Sequence, residues 1–419
     1  MPAEDAYSQA VASGLYARES GLHGKYDNVR VYWEDEVTRA FLVRHFEPLV
    51  RRRVEEGEGI RVLDLGCGSG DGFELVAAMG RKAAGLSEVD TRLIGAGQLG
   101  QYRGIELNRD LLAQNLERWG ENPRMACTWG DFSQGLPVEE GEPPFDLYLA
   151  SYGTLSHLTE DQTVGLLCDV VGQAEDGALV VADWLGRYSY EWQMLWDKDV
   201  SREQWMDYVI SYIYPADQRN DVDLASLDLR LLAREETDRV FGRVANETGA
   251  RLDVKEVFDR SIFVGRHMDT GDYNPHLKPL RQTVNSLLER NIRTDFESLS
   301  IDYHPHQDVT EPNRFFSRFQ FAWNALVRHA IALCDAPERA GARRPEPGPT
   351  DLEIPKPLAT SVAHLEYVVR HVDSFDMGDP RANVIEPQLA YGLRSLEMSL
   401  QEGQGNGHGL VAVCEVRKG

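Results

Sequence analysis

Short apolar runs separated by amphipathic segments dominate the middle of the chain. Five of them are predicted to be strands, at residues 62–65, 102–106, 124–132, 145–153 and 177–185. Nearly continuous apolar runs of this length are typical of parallel strands that are covered on both faces. After the second run, Leu111, Leu112, Leu116 and Trp119 recur at helical spacing. Strands that alternate with helices predict an α/β architecture.

Helical and aromatic segments flank these runs. Residues 1–58 are predicted to form a helical cap, because one stripe carries Val37, Phe41, Leu42, Phe46, Leu49 and Val50. Residues 186–229 are rich in aromatic side chains. We interpret them as a helical lid over an apolar pocket, although a hydrophobic helix pair that fills an insertion fits equally well. Tyr26, Tyr32 and Trp33 either face that pocket or anchor the cap to the core.

The C-terminal third adds further elements. Residues 271–337 are predicted to form a helical substrate or dimerisation region, and 338–358 a proline-rich linker. Residues 359–419 are predicted to be a helix–strand extension that ends in a buried strand at 410–416. The sequence leaves open whether that strand joins the main sheet or displaces one of two strands predicted near 255–267.

The first strand leads into the most informative segment, RVLDLGCGSGDGFE at 61–74. Gly66, Gly68 and Gly70 permit backbone angles and close approaches that a β-carbon would block. A helix is predicted to begin near Asp71, so the loop has the form of a nucleotide-type cofactor cradle. The dinucleotide fingerprint requires glycine at the sixth position of the motif, where this chain has Asp71.

VLDLGCGSG resembles motif I of the class I S-adenosylmethionine (SAM)-dependent methyltransferases. The resemblance covers roughly residues 59–187, and we extend the core domain to 59–270. It implies a Rossmann-like, doubly wound, mostly parallel seven-stranded sheet, here with a helical N-terminal cap, helical insertions and a C-terminal extension. It also implies SAM as the cofactor.

Residues after the later strands match the same family in order. A carboxylate at Glu106 can accept two hydrogen bonds from a ribose diol. The resemblance implies that Asp131 receives the adenine amino group and that Phe132 packs on the ring. The remaining predicted cofactor positions are Asp64, Gly66, Cys67, Gly68, Gly70, Leu107 and Ser151. The chain departs from the family pattern in one respect. Residues 82–101 lie between the glycine loop and Glu106, so Glu106 is farther along the chain from the loop than the usual spacing of about 20 residues.

The catalytic residues are less well defined, because methyl transfer from a sulfonium requires mainly positioning and exclusion of water. The candidates for a general base are His157, Asp183 and His267, with Tyr188 and Tyr190 as orienting hydroxyl groups. Asp183 ends the fifth strand and is placed best for an acceptor. We favour a structural role for His157, whose counterparts in the family pack near the following helix.

The segment DYHPHQD also contains two histidines and two acids, which raises the question of a metal site. His304 and His306 flank a proline in an extended segment, so their side chains point to opposite faces. We therefore predict a solvated loop here and no metal.

Composition and charge narrow the functional class. The chain has 419 residues, and 42% hydrophobic with 9% aromatic residues excludes a disordered protein. A net charge of -24 repels phosphate backbones and anionic membranes, so we expect neither as a partner. Five scattered cysteines, with no visible signal peptide or membrane segment, predict a cytoplasmic protein.

These observations predict a SAM-dependent methyltransferase that modifies oxygen or nitrogen of a small, partly apolar molecule, with a homodimer as a possible assembly. One alternative is a non-catalytic subunit with the same fold that binds the cofactor or a partner. A less favoured alternative is an NAD-dependent oxidoreductase, which Asp71 opposes.

Overall fold

A computed structural model describes residues 3–14, 16, 24–81, 87–95, 97–335, 356–374 and 378–418 of the chain. The predicted proline-rich linker at 338–358 lies outside the described residues, apart from its last three. The same holds for residues 82–86 and 96 of the segment that precedes Glu106.

The described residues contain nine strands and ten α-helices. The strands are β1 Ile60–Leu65, β2 Leu99–Glu106, β3 Met125–Trp129, β4 Leu147–Ala150, β5 Leu179–Gly186, β6 Gln204–Val209, β7 Ser226–Leu232, β8 Arg251–Arg260 and β9 Gly409–Arg417. The helices are α1 Ala3–Ala12, α2 Asp35–Glu55, α3 Asp71–Ala77, α4 Arg109–Trp119, α5 Glu160–Gln173, α6 Arg234–Thr248, α7 Leu280–Ser286, α8 Thr310–Asp335, α9 Lys356–His371 and α10 Glu386–Leu400.

Seven strands form one continuous ladder in the order β3-β2-β1-β4-β5-β9-β8. The first five pair in parallel, and β9 is antiparallel to both of its neighbours. The hairpin of β6 and β7 joins only the end of β5, through Leu185 and Gly186. This arrangement confirms the predicted Rossmann-like, mostly parallel sheet.

The C-terminal strand completes this sheet. β9 pairs with β5 from Leu179 to Leu185 and with β8 along its other edge, so it joins the main sheet. The prediction of two strands near 255–267 is wrong, because β8 ends at Arg260. Ser261 has a left-handed backbone (φ +60°), and Glu397 accepts hydrogen bonds from the N–H groups of Ser261 and Ile262. These N–H groups are thus satisfied without a further strand.

The aromatic segment at 186–229 is not helical as predicted. It contains one 3₁₀ segment, Tyr190–Leu195, and then β6. Met206 and Tyr208 are buried while Trp205 and Asp207 are exposed, which is the period-two pattern of a strand. The aromatic richness concealed this alternation in the sequence.

The region between β8 and β9 is mainly helical and packs as core. The α8 side chains Phe316, Phe319 and Trp323 are fully buried. The Trp33 ring lies 6.0 Å from the Trp323 ring, and Trp33 Nε1 donates to Glu397 at 3.0 Å. Trp33 therefore anchors the N-terminal cap to the core. None of the helices in the described ranges is long and apolar enough to cross a membrane.

Candidate active site

A cavity of about 500 Å³ opens where the central parallel strands end. Its wall includes Gly66 after β1, Leu107 after β2 and Ser151 after β4. β1 lies between β2 and β4, so the chain leaves it in opposite directions at this edge. Open α/β sheets bind ligands at such a switch point, and the volume is in the range of small-molecule sites.

The glycine loop forms one side of the cavity. Gly66 and Gly68 have left-handed backbones, with φ of +70° and +51°. A β-carbon on Gly66 would lie 2.8 Å from Thr154 Cγ2, whereas one on Gly68 would meet only Lys25 Nζ, at 3.9 Å. The missing side chain of Gly68 therefore leaves open space inside the cavity. Cys67 lies between them in the same wall.

Two predicted cofactor positions lie behind this wall and shape the loop. Gly70 caps α3 at φ +98°, and a β-carbon there would lie 2.6 Å from Trp119 Nε1. Asp64 is fully buried and accepts a hydrogen bond from the Tyr102 hydroxyl. Its carboxylate occupies the space that a β-carbon of Gly72 would need. Burial raises the pKa of Asp64 well above its usual range.

Glu106 lies at the end of β2, against the glycine loop. Its Oε2 accepts from the Gly68 N–H at 2.8 Å, and its Oε1 accepts from the Asn108 N–H at 2.8 Å. The side chain lines the cavity although the residue is only 8% exposed. Burial raises its pKa, while these backbone N–H groups act to lower it. Each oxygen keeps a further lone pair for a ligand.

Asp131 and Phe132 follow β3 and lie in the same wall. Asp131 caps a short 3₁₀ segment, and its Oδ1 accepts from the Ser133 N–H at 2.9 Å. Both residues are half-buried. The structure thus brings Asp131 and Phe132 to the cavity that Glu106 and the glycine loop also line.

A basic side of the cavity comes from the N-terminal segment, which the sequence analysis missed. Lys25 Nζ lies 2.6 Å from Asp71 Oδ2, and the Arg30 guanidinium carbon lies 3.4 Å from the Tyr152 ring centroid. All four of these residues line the cavity. Burial acts to raise the pKa of Asp71, but Lys25 and Arg30 hold it below its usual range. No motif marks these cations in the sequence, since they pair only in the folded chain.

A further part of the cavity wall is aromatic. Tyr208 and Tyr212 line the cavity together with Tyr7 and Tyr16, and the Tyr16 and Tyr212 hydroxyls are 3.4 Å apart. Burial raises the pKa of Tyr16 and of Tyr208 well above the usual range, so both remain protonated. The Arg266 guanidinium carbon lies 5.4 Å from the Tyr212 ring centroid and is also in the wall. This side offers an apolar surface with hydroxyl groups.

Of the three predicted base candidates, His157 lines the cavity and the other two lie behind its wall. His157 lines the cavity, and its Nε2 lies 3.2 Å from the Tyr7 hydroxyl oxygen. Burial lowers the pKa of His157 to about 4, so it is neutral at pH 7. Asp183 is buried behind the wall, with Oδ2 2.9 Å from an Arg260 guanidinium nitrogen. His267 is also fully buried behind the wall.

The predicted orienting hydroxyls also lie elsewhere. The Tyr188 ring makes a T-shaped contact with Trp196 at 6.1 Å, and Tyr190 packs 5.8 Å from Phe316 in the helical region. Neither residue lines the cavity. The histidine-rich loop is remote as well, with His304 half exposed. The cavity instead contains His408, which no sequence pattern indicated.

The sheet has parallel strands in the order β3-β2-β1-β4-β5, an antiparallel strand between β5 and β8, and a glycine loop after β1. The fold is therefore Rossmann-like, with its candidate site at the switch point of the sheet.

No protein-family model and no curated protein matches the chain. Among solved structures it is similar to the glycopeptide N-methyltransferase MtfA complexed with sinefungin, at 20% identity over 59% of this chain and 90% of that one (TM-score 0.36). It is also similar to a SAM-dependent methyltransferase from Clostridium acetobutylicum, at 15% identity over 60% and 90% of the two chains (TM-score 0.36). CalS10, an amino pentose methyltransferase from Micromonospora echinaspora, matches at 16% identity over 54% and 86% (TM-score 0.30). These likenesses are distant, and the strand order of the chain itself defines its fold.

Proposed function

We propose that this protein is a SAM-dependent methyltransferase that acts on oxygen or nitrogen of a small, partly apolar molecule. The observation that carries the proposal is the junction of Gly68 and Glu106 at the switch point of the sheet. The Gly68 N–H donates to the Glu106 carboxylate at 2.8 Å, and a side chain on Gly68 would project into the cavity. A backbone cradle beside a buried carboxylate suits a nucleoside-type cofactor.

The cavity has a suitable residue for each part of the cofactor: the ribose, the adenine and the methionine portion. Glu106 would accept from the ribose hydroxyls, because each of its oxygens keeps a free lone pair. Asp131 would accept from the adenine amino group, and Phe132 would pack against the ring. The carboxylate of the methionine portion would lie by Gly68 and the Lys25 ammonium, which lines the cavity beside the loop. The bound cofactor supplies an activated methyl group.

The acceptor would occupy the aromatic side of the cavity. Tyr208, Tyr212 and Leu229 provide an apolar surface there, and Arg266 provides a positive charge. An in-line displacement needs the acceptor atom close to the methyl carbon and water excluded. The aromatic side chains would hold the acceptor near the methyl carbon, and they would displace water from around it. The net charge of -24 supports a small molecule over a polynucleotide as the acceptor.

Thermal unfolding with a panel of ligands tests the cofactor assignment. S-adenosylhomocysteine at about 100 times its Kd is expected to stabilise the folded state by about 2.7 kcal/mol, and therefore to raise Tm by several degrees. NAD at the same concentration is expected to leave Tm unchanged. Stabilisation by NAD but not by S-adenosylhomocysteine would contradict the proposal and favour an oxidoreductase.

A further inference from the structure

His408 lies in the glycine-rich loop that precedes β9, and it lines the cavity. Its imidazole ring contacts two aromatic rings, with centroid distances of 5.4 Å to Trp192 and 6.3 Å to Tyr208. The side chain is 12% exposed. These contacts limit the orientations of the ring, and a limited orientation favours a group that exchanges protons with a ligand.

The orientation of His408 is fixed further by a buried carboxylate. His408 Nδ1 lies 2.8 Å from Glu191 Oε2, and the Glu191 side chain is fully buried. An ionised carboxylate only accepts hydrogen bonds, so Nδ1 carries the proton of the neutral ring. The other ring nitrogen, Nε2, then has a free lone pair. Among the residues that the structure describes, the side-chain hydrogen bond of His408 is made by Nδ1 and not by Nε2.

The residues around Glu191 leave space for its carboxylate and donate hydrogen bonds to it. A β-carbon on Gly265 would lie 2.0 Å from Glu191 Oε2, so glycine at that position leaves the space for the carboxylate. The Ser189 hydroxyl donates to Oε2 at 3.1 Å, and the His267 backbone N–H donates to Oε1. Burial acts to raise the pKa of Glu191, but His408 and these hydrogen bonds hold it below its usual range. The carboxylate therefore stays ionised.

We propose that His408 is the general base of the methyl transfer and that Glu191 positions it. The inference rests on the proposed function of the cavity. The acceptor proton moves to His408 Nε2 while the acceptor oxygen or nitrogen forms a bond to the methyl carbon. The sulfur–methyl bond breaks, and its electron pair stays on sulfur, which becomes a neutral thioether. The imidazolium, stabilised by Glu191, then releases its proton to solvent.

The other histidine of the wall is less suited to this role. His157 Nε2 already interacts with the Tyr7 hydroxyl at 3.2 Å. His408 therefore has the ring nitrogen that is open to an acceptor. Neither residue belongs to motif I, so the sequence motif alone does not distinguish them.

The first test compares the rates of His408→Asn and wild type, with the acceptor identified by screening small alcohols and amines with labelled SAM. The asparagine amide takes the place of Nδ1 and keeps the donor to Glu191, but it removes the base. We expect kcat to fall about 10²- to 10⁴-fold, with KM and the Kd of S-adenosylhomocysteine unchanged within about twofold. The control is His364→Asn, because His364 is exposed on α9. A kcat for His408→Asn within about threefold of wild type would overturn the inference.

The pH profile adds a second kinetic readout. The charged and titratable groups that face His408 are Glu191, His267, Tyr208 of β6, and Arg260, whose guanidinium lies 2.8 Å from the β-carbon position of Gly409. A general base works only in its unprotonated form, so kcat of the wild type is expected to fall at acid pH. His408→Asn is expected to lose this acid limb. An unchanged profile in the variant would assign the limb to another group and overturn the inference.

A third readout needs no acceptor. Long-range ¹H–¹⁵N NMR of labelled wild-type protein, with His408 assigned from His408→Asn, reports which ring nitrogen is protonated. We expect the Nδ1–H tautomer at pH 8, with Nε2 unprotonated. An Nε2–H tautomer would overturn the inference. Failure of wild type to bind S-adenosylhomocysteine would instead count against the proposed function itself, so the two failures are distinguishable.

Discussion

Gly68 lies in the left-handed region at φ +51°, where an added side chain would enter the cavity. Replacing it by alanine has two separable effects. The backbone strain costs on the order of 1–2 kcal/mol of folding free energy. The added methyl group also occupies space that the proposed cofactor needs. We expect Gly68→Ala to weaken S-adenosylhomocysteine binding by at least about tenfold, measured by calorimetric titration.

Gly57→Ala is the matched control for this experiment. Gly57 also has a left-handed backbone, at φ +78°, but a β-carbon there would meet nothing within 4 Å. It lies just after α2, away from the cavity. We expect a similar loss of stability with unchanged affinity. Equal affinity for the Gly68 variant and wild type would show that the ligand does not approach this glycine.

Among the individual site residues, those that directly follow strands were predicted from the sequence. Those that reach the cavity from other segments of the chain were not. Gly68, Glu106 and Asp131 follow consecutive strands, and parallel strands bring their ends to one edge. Lys25 and His408 reach the same cavity from segments near the two ends of the chain. Nothing in their local pattern specifies that approach, because it depends on tertiary packing.

Among elements, the docking of α10 against the end of β8 depends on one buried carboxylate. Glu397 on α10 accepts hydrogen bonds from Trp33 Nε1 and from the N–H groups of Ser261 and Ile262, all at 2.9–3.0 Å. These donors belong to the N-terminal cap and to the segment after β8. The carboxylate thus joins three parts of the chain that are distant in sequence.

Glu397→Gln is expected to reduce the free energy of unfolding by about 1–3 kcal/mol, because an amide nitrogen cannot accept a hydrogen bond from these N–H groups, whereas both oxygens of a carboxyl group can. Burial raises the pKa of Glu397 to about 7, from an ordinary value of 4.5. The folded state therefore binds this proton more tightly than the unfolded state, and the contribution to stability falls as pH rises through about 7.

Urea unfolding of both proteins at pH 5 and pH 8 measures this effect. The stability difference between wild type and Glu397→Gln should shrink by on the order of 2 kcal/mol at the higher pH. Glu297→Gln, at an exposed position, is the control and should show no such change. A difference that is the same at pH 5 and pH 8 would mean that Glu397 is already ionised in the folded protein at pH 5, and would contradict the raised pKa.

The elements themselves were predictable to different degrees. The strands β1 to β5 and helix α10 follow from apolar runs and from the stripe of Leu389, Leu393 and Leu396, all of which are buried. β6 was predicted as helix, because its alternation extends over only six residues within an aromatic segment. The place of β9 could not be predicted, since local pattern does not determine strand pairing over about 150 residues of intervening chain.

In the whole molecule, the helical region between β8 and β9 is part of the core. Phe258 of β8 stacks on Phe41 of the cap at 4.4 Å, and Phe263 stacks on Phe319 of α8 at 5.2 Å. The sheet, the cap and the helical region therefore share one set of apolar contacts. Because β9 follows the helical region, the chain returns to the sheet through the loop that carries His408.

This order of elements places the cavity between the first and last parts of the chain. Lys25 and Arg30 approach from the N-terminal segment, and His408 approaches from the loop before β9. The ends of the parallel strands, with Lys25, line the proposed cofactor side, and the β6–β7 hairpin and the loop of His408 line the proposed acceptor side. Such a division agrees with a common fold that acquires its specificity from the segments around it.

Calorimetric titration with S-adenosylhomocysteine, on wild type, Glu106→Ala and Glu117→Ala, tests whether this cavity binds the cofactor. Glu106 lines the cavity, and Glu117 is exposed on α4. We expect wild type and Glu117→Ala to bind with equal affinity, and Glu106→Ala to bind about 10- to 100-fold more weakly. Absence of binding to wild type, or equal binding by all three proteins, would contradict the assignment of this cavity as the cofactor site.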